Sequence, residues 1–188
     1  MVIKPPKKGP FNLDMGCGTR KKEGFKGVDL CDFKGVDYHF DITKKWPIAA
    51  NVVDEIHCSH LLEHFDNVGR IHFVNEAFRV LDPKGKITLV VPHWSSCRAY
   101  GDPTHVWPPF GEFWFYYLSR EWRSTEAPHT DKKHWDKGFN CDFECTWGYG
   151  GNPTLATRSD DFKQFALSHY REAIYDVHAT LTKRDTKN

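Results

Sequence analysis

The sequence predicts an α/β fold built on a mainly parallel sheet. Three observations carry it. The stretch FNLDMGCGTRKKEGFKGVDL, residues 11–30, runs from a short apolar strand through a glycine-rich turn to a second strand closed by Asp29, the order of parts in a nucleotide-binding βαβ unit. Between residues 52 and 92 a helical stripe separates two further strands. The second of these, KITLVVP, is β-branched and almost continuously apolar, as a strand covered on both faces must be.

Taken in order, residues 1–10 form a basic, proline-rich arm with little to bury, expected to be flexible. Residues 11–188 form one domain, since 188 residues suffice for one substantial core and not for two ordinary ones. Strands are predicted at Phe11–Asp14, Lys26–Asp29, Val36–Phe40, Val52–Ser59 and Lys86–Pro92. Ile71, Val74, Phe78 and Leu81 recur at spacings of three and four and mark one face of a helix. Asp82-Pro83-Lys84-Gly85 stops that helix, because proline cannot continue the ladder and glycine supplies the turn.

Residues 93–138 form an insertion rich in Gly, Pro and aromatics, helical from about Pro109, where proline suits a first turn. From Phe139 to Tyr149 apolar and polar residues alternate, which reads as a strand. The segment SDDFKQFALSHYRE reads as a helix capped by Ser159 or Asp160, and AIYDVHATLTKRD as a last strand.

Composition narrows the function classes. The formal charge of +1 provides no global field for a polyanion, so nucleic acid is not favoured. The six cysteines lack the spacing of a disulfide scaffold, and the basic start is unlike a signal peptide, which points to a reducing, cytoplasmic setting. No run approaches the ~18 apolar residues of a membrane span.

The glycine-rich turn alone is a weak signal, because glycines at strand ends often mark only tight turns. Here Asp14 precedes it, Asp29 closes the second strand and Asp41 follows the third, so three acids would ring one crevice at the carboxyl edge of the sheet. A dinucleotide is disfavoured. Its pyrophosphate wants a third glycine and a full helix N-terminus, whereas position 21 is lysine and only a handful of residues separate the turn from the second strand. Asp14 would repel a phosphate and suit a cationic group.

The successive motifs NLDMGCG, GFKGVDL, DYHFDITKKWP, VDEIHCSHLLEHF, NEAFRVLDPKGKITLVVP and DPTHVW resemble those of class I S-adenosylmethionine-dependent methyltransferases, over roughly residues 11–118. The nearest likeness is to a short-looped subgroup with LDxGCG, LEH and DPTH motifs. The resemblance implies a Rossmann-like, doubly wound sheet of about seven strands, the last antiparallel, with a minimal helix after strand 1. It implies S-adenosylmethionine as cofactor and S-adenosylhomocysteine as product. Asp14, Gly16, Cys17 and Gly18 would line the methionine end, Asp29 and Leu30 would hold the ribose and flank the adenine, and Asp41 and Ile42 would contact the adenine. Ser59 and His60 would lie near the methionine moiety. Leu62, Glu63 and His64 match an element whose contribution is mostly structural, and the Cys17 thiol is expected to be packed. PKG stands where PGG is commoner. The helices that often cap the cofactor in this superfamily are absent, so the arm, the insertion or a second subunit must cover the site.

Methyl transfer from a sulfonium is an in-line displacement, in which alignment and exclusion of water are the main requirements. If the acceptor is a hydroxyl or amine, a base helps. His105, oriented by Asp102, is the first candidate, since histidine titrates near neutrality; His60 and His93 are alternatives. Asp102-Pro103-Thr104-His105 could equally be a turn that closes a loop. The aromatic crowd from Trp107 to Tyr117 is expected to be mostly core, with one or two rings lining the acceptor site; left exposed, it would invite a homodimer contact. No metal is expected. Cys141 and Cys145 on one strand would be about 13 Å apart, too far to share a zinc ion.

The acceptor is unidentified. SHLLEH stands where a DNA amino-methyltransferase would carry an Asn/Asp-Pro-Pro-Tyr/Phe element, which favours a small molecule or a sugar- or lipid-type group over DNA. Two other readings stand beside the enzyme: a non-catalytic nucleoside-binding accessory protein, and a nicotinamide-dependent reductase.

Overall fold

A computed structural model of the chain describes residues 2–185. Met1, the first residue of the expected arm, and residues 186–188 of the domain lie outside the described residues. Seven strands form one sheet in the order β3-β2-β1-β4-β5-β7-β6. They are β1 (Asn12–Met15), β2 (Lys26–Asp29), β3 (Tyr38–His39), β4 (Val53–Ser59), β5 (Leu81–Pro92), β6 (Phe143–Gly151) and β7 (Ile174–Lys183). β1 to β5 pair in parallel, while β7 is antiparallel to both neighbours, β5 and β6. The chain order of the strands reverses at β1 and β4, the point where open α/β sheets take ligands at the carboxyl ends of their strands.

Among the described residues, only the β4–β5 crossover between parallel strands carries a full helix, α1 (Asn67–Val80), capped by Asp66, whose side chain accepts the Gly69 N–H. Its buried face comprises Arg70, Ile71, Phe73, Val74, Ala77 and Val80, broader than the stripe read from the sequence. Phe78 is only partly buried, and Leu81 opens β5. The shorter helices are α2 (Arg98–Gly101), α3 (Phe113–Tyr116), α4 (Arg120–Glu126) and α5 (Asp160–His169); Ser159 caps the last.

Where a helix is missing, side chains tie the loops. Before β4, Trp46 is fully buried with its ring 5.2 Å from Phe73, its backbone N–H donates to Glu76 of α1, and Arg79 donates to the Ile48 and Trp46 carbonyls. Between β1 and β2 there is no helix at all. Lys21, at the position of the missing third glycine, reaches Asp37 at 2.7 Å, and Asp37 also accepts from Lys26 and the Gly27 N–H. Burial works to raise the Asp37 pKa, and these donors override it, pulling it to about 2. A depressed carboxylate stabilises the fold above its unfolded pKa and loses that contribution as pH falls through the folded value. Asp37 should therefore contribute about 2 kcal/mol at neutral pH. Urea titrations of wild type and Asp37→Asn should show the gap shrinking between about pH 4 and pH 2.

Several boundaries differ from the sequence expectation: besides shifts of a residue or two in β1, β4 and β7, the helix expected from about Pro109 is Phe113–Tyr116, and three differences are larger or change the pairing. The predicted strand Val36–Phe40 is reduced to Tyr38–His39. Asp82–Gly85 is a bulge within β5: Val53 pairs with Leu81 and Glu55 with Lys86, so the four residues between loop out. Lys84, in the PKG, adopts a left-handed φ of 68°, where glycine is the easier residue. β6 starts at Phe143 instead of Phe139. The Asn140 N–H is taken by Asn75, and Phe139 bonds to Thr130 and Lys132, which draws residues 139–140 out of the ladder.

In the arm, the Ile3 N–H donates to Pro47 and Ile3 bridges to Ile48, and Ile3 lines a surface cavity together with Tyr38 and His39 of β3. Within the 93–138 segment Phe110 and Phe115 are 1% exposed, whereas Trp107 and Phe113 are 74% and 73% exposed. The aromatic crowd is thus divided between core and surface. Among the described residues no helix is long and apolar enough to cross a membrane.

Candidate functional site

The loop after β1 folds back over the sheet edge because its backbone N–H groups find partners there. Gly16 and Cys17 both donate to the Val28 carbonyl, and Gly18 donates to Asp29 Oδ2 at 2.9 Å. Asp14, buried at the end of β1, accepts the Lys22 N–H at 2.7 Å. Gly16 has φ +66°, and a Cβ there would lie 2.7 Å from Leu61, so the turn requires glycine. Burial raises the Cys17 pKa, consistent with a packed, protonated thiol.

This loop bounds a cleft of about 540 Å³ lined by Asp14, Gly16, Cys17, Gly18, Thr19 and Arg20, by Phe33 after β2, and by His57, Ser59 and His60 at the end of β4. Asp29 borders it through Gly18, and its other oxygen accepts the Cys31 N–H. A carboxylate has about four acceptor sites, so Asp29 is held rigidly and still has capacity for a ligand hydroxyl. Leu30, Asp41 and Ile42 do not line the cleft. Asp41 accepts both the N–H and the hydroxyl of Thr43 and pairs with Lys44, contacts that bring its pKa to about 2. Ile42 packs on the core and its carbonyl accepts the Trp46 indole N–H. Sequence reasoning missed His57, Thr19, Arg20 and Phe33. His57 Nδ1 lies 3.1 Å from Thr88 Oγ1, and burial lowers its pKa.

A second cavity of about 650 Å³ is lined by His60, Glu63, His64, Pro92, Cys97, Arg98, Gly101, Asp102, Pro103 and His105. His60 is common to both. It sits at φ +52°, with Nδ1 3.3 Å from Glu63 Oε1, and the Glu63 carboxylate raises its pKa. No aromatic ring of the 107–117 crowd lines this cavity, and neither cavity is lined by a residue of the arm.

Two short segments build one wall of the second cavity, the remainder coming from the end of β5 and the 97–101 turn. The first is the 3-10 turn Leu62–His64 after β4. The second is the loop 102–108, joined to that turn by the Val106 N–H donating to the Glu63 carbonyl. Arg70 of α1 locks both: buried, its guanidinium donates to the carbonyls of Leu62, Glu63, Val106 and Pro108. Desolvation brings its pKa down to about 10, leaving it charged at neutral pH.

Within the DPTH segment, Asp102 Oδ1 accepts the Thr104 N–H and, at 2.6 Å, its hydroxyl. Thr104 Oγ1 is in turn 2.9 Å from His64 Nδ1. His105 Nε2 is 3.9 Å from Asp102 Oδ2, beyond a hydrogen bond. The turn reading of the motif and its placement at a cavity therefore hold together. His93, the other alternative base, lines neither cavity: it is buried between Ser95 and Glu112. Cys141 lies before β6, so the strand spacing used against a shared zinc ion does not apply. Both Cys141 and Cys145 are pushed up to about 12 by burial, and His129 and His134 do not gather with them. Among the described residues, the group of potential metal ligands that does gather is Glu63, His64 and His105.

Residues 19–89 match a family model described as a methyltransferase domain. No curated protein matches the sequence. Among solved structures, the fold is similar to a SAM-dependent methyltransferase from Archaeoglobus fulgidus, at 19% identity and TM-score 0.64, with 94% of this chain and 87% of that chain covered. It is also similar to the 1,6-didemethyltoxoflavin-N1-methyltransferase of Burkholderia thailandensis, at 14% identity and TM-score 0.55, covering 94% and 72%. The [4+2]-cyclase SpnF matches as well, at 15% identity and TM-score 0.55, covering 94% and 75%. These likenesses establish a Rossmann-like methyltransferase fold. That a cyclase shares it leaves the reaction to be argued from the site.

Proposed function

We propose that the chain transfers a methyl group from S-adenosylmethionine to an acceptor held in the second cavity. The observation that carries this reading is that His60 lines both cavities, one bounded by a glycine turn and carboxylates, the other by imidazoles. The family model over residues 19–89 supports it. Asp14 and Asp29 suit a ligand that carries an ammonium and a sulfonium; Arg20 is available to the ligand's carboxylate. With no helix between β1 and β2, the N-terminal dipole that a dinucleotide pyrophosphate exploits is missing.

In the reaction, the acceptor atom attacks the methyl carbon in line with the departing sulfur. The sulfonium leaves as the neutral thioether of S-adenosylhomocysteine. Rate comes mainly from alignment beside His60 and from shielding the methyl group from water. The acceptor is a small molecule or a sugar- or lipid-type group, in keeping with the lack of a strong basic field and of a DNA-type motif after β4.

Isothermal calorimetry with S-adenosylhomocysteine should show one site per chain, and NAD(P) should give neither heat nor thermal stabilisation. Absence of S-adenosylhomocysteine binding at millimolar ligand would overturn the proposal; so would stabilisation by NAD(P) alone.

A further inference from the structure

Glu63 is 4% exposed. Its nearest charge partner is His60, whose Nδ1 lies 3.3 Å from Oε1 and pairs with it when protonated; Oε2 has no hydrogen-bond partner. His105 Nδ1 is likewise buried and unpartnered. A buried carboxylate left in this state is costly unless a charge or donor satisfies it. The carboxylate and the imidazole line the same cavity, together with His64. One ligand atom from each of Glu63, His64 and His105 lies within 4.8 Å of the others, with the His64 and His105 rings edge to face at 4.8 Å between centroids.

The surroundings of His64 add an independent argument. Thr104 gives its proton to Asp102 Oδ1 at 2.6 Å, so its oxygen must accept from His64 Nδ1 at 2.9 Å. That fixes the proton on Nδ1 and leaves Nε2 as the unprotonated nitrogen of the ring. An imidazole held by a carboxylate-backed hydrogen bond on one nitrogen, with the other free, is the usual arrangement of a metal-ligating histidine. Asp102 also faces His105 Nε2 at 3.9 Å, which leaves the unpartnered Nδ1 as the coordinating atom. Asp102 thus holds the His64 ring through Thr104 and lies beside the His105 ring without bonding it.

We infer that Glu63, His64 and His105 bind one divalent transition-metal ion, whose open side faces the 650 Å³ cavity and takes the oxygen of a hydroxyl acceptor. Two imidazoles and one carboxylate favour Mn²⁺, Fe²⁺, Co²⁺ or Zn²⁺ over Mg²⁺ or Ca²⁺, which prefer all-oxygen shells. Ligand bonds of about 2.1 Å would bring the three atoms to about 3–3.5 Å apart, a closure within reach of side-chain rotation. The role of the ion rests on the methyl-transfer reading. The hydroxyl oxygen forms its bond to the methyl carbon as the carbon–sulfur bond breaks, the hydroxyl proton passes to solvent, and the ion holds the oxygen in line and lowers its pKa. On this reading His105 is a ligand and the base assignment lapses; Asp102 and Thr104 are positioning residues.

The test uses the full chain, stripped with a chelator and titrated with Mn²⁺, Co²⁺, Zn²⁺ and Mg²⁺ by calorimetry, with Co²⁺ absorption as the spectroscopic signature. One equivalent of Co²⁺ or Zn²⁺ should bind per chain, at least tenfold more tightly than Mg²⁺. Glu63→Gln and His105→Ala should abolish the Co²⁺ spectrum, and Thr104→Val, which is exposed and spares the fold, should weaken binding about tenfold. No saturable binding by wild type at 1 mM metal, or affinity unchanged in Thr104→Val and in whichever ligand variants fold, overturns the site. S-adenosylhomocysteine binding is measured on the same samples. Its loss from wild type with metal binding intact sinks the methyl-transfer reading alone, and its retention without metal binding sinks the metal site alone.

Discussion

Arg70→Met should lower the unfolding free energy by about 3–5 kcal/mol, read as the urea midpoint at constant slope. Methionine fills much of the volume but donates nothing: the carbonyls of Val106 and Pro108 lose the donor that Arg70 supplies, while those of Leu62 and Glu63 keep only the Phe65 and Val106 N–H groups. An unsatisfied buried acceptor costs about 1–3 kcal/mol; relaxation toward water reduces the sum. Arg70→Lys should recover little, because a single ammonium cannot span four acceptors that a planar fork reaches, and because the guanidinium also lies 4.3 Å over the Phe110 ring. A loss under 1 kcal/mol in Arg70→Met would mean that the two segments are held by other contacts.

The second large effect concerns the cleft. Asp29→Ala should weaken S-adenosylhomocysteine binding about a hundredfold, or about 2.7 kcal/mol. The carboxylate anchors Gly18 and Cys31 through their N–H groups, so alanine frees the turn and also removes the acceptor for the ligand's hydroxyls. Asp29→Asn keeps a carbonyl for one of these roles only and should fall between. The measurement is calorimetric titration of the folded variants. Unchanged affinity in Asp29→Ala would separate this residue from the ligand.

Much of the frame follows from local pattern. KGVD and VDEIHCS are strands whose limits are legible within a residue, because alternation and terminal acids mark them, and Ser159 before two aspartates is a cap readable without coordinates. Elements set by distant partners are not legible. Residues 139–142 alternate like a strand, yet Asn75 on α1 and the 130–132 loop claim their hydrogen bonds. Lys21 reads as a failed glycine, and its partner Asp37 stands 16 residues on.

The site divides in the same way. Asp14, Gly16, Gly18 and Asp29 announce themselves by spacing, since one turn brings them together. Leu62-Glu63-His64 and Asp102-Pro103-Thr104-His105 are visible as two motifs, one read as structural and the other as a base with its orienter. Their convergence depends on α1, β5 and the single arginine that bonds both, and no local periodicity encodes it. The orphaned Oε2 of Glu63 is a tertiary fact.

The place of β7 in the sheet bears on how the protein is made. The strand comes after both of its neighbours in sequence, yet lies between β5 and β6, and it contributes a buried lysine, Lys183, whose ammonium donates to the Leu81 carbonyl at the head of β5. During synthesis from the N-terminus, β5 waits with an unpaired apolar edge, and β6 has no sheet to join until residues 174–183 have emerged. Such an edge is a template for pairing with other chains. The interval in which nascent chains need chaperone protection should therefore end abruptly with the arrival of β7, and a stop codon before residue 174 should yield aggregate instead of a smaller soluble domain.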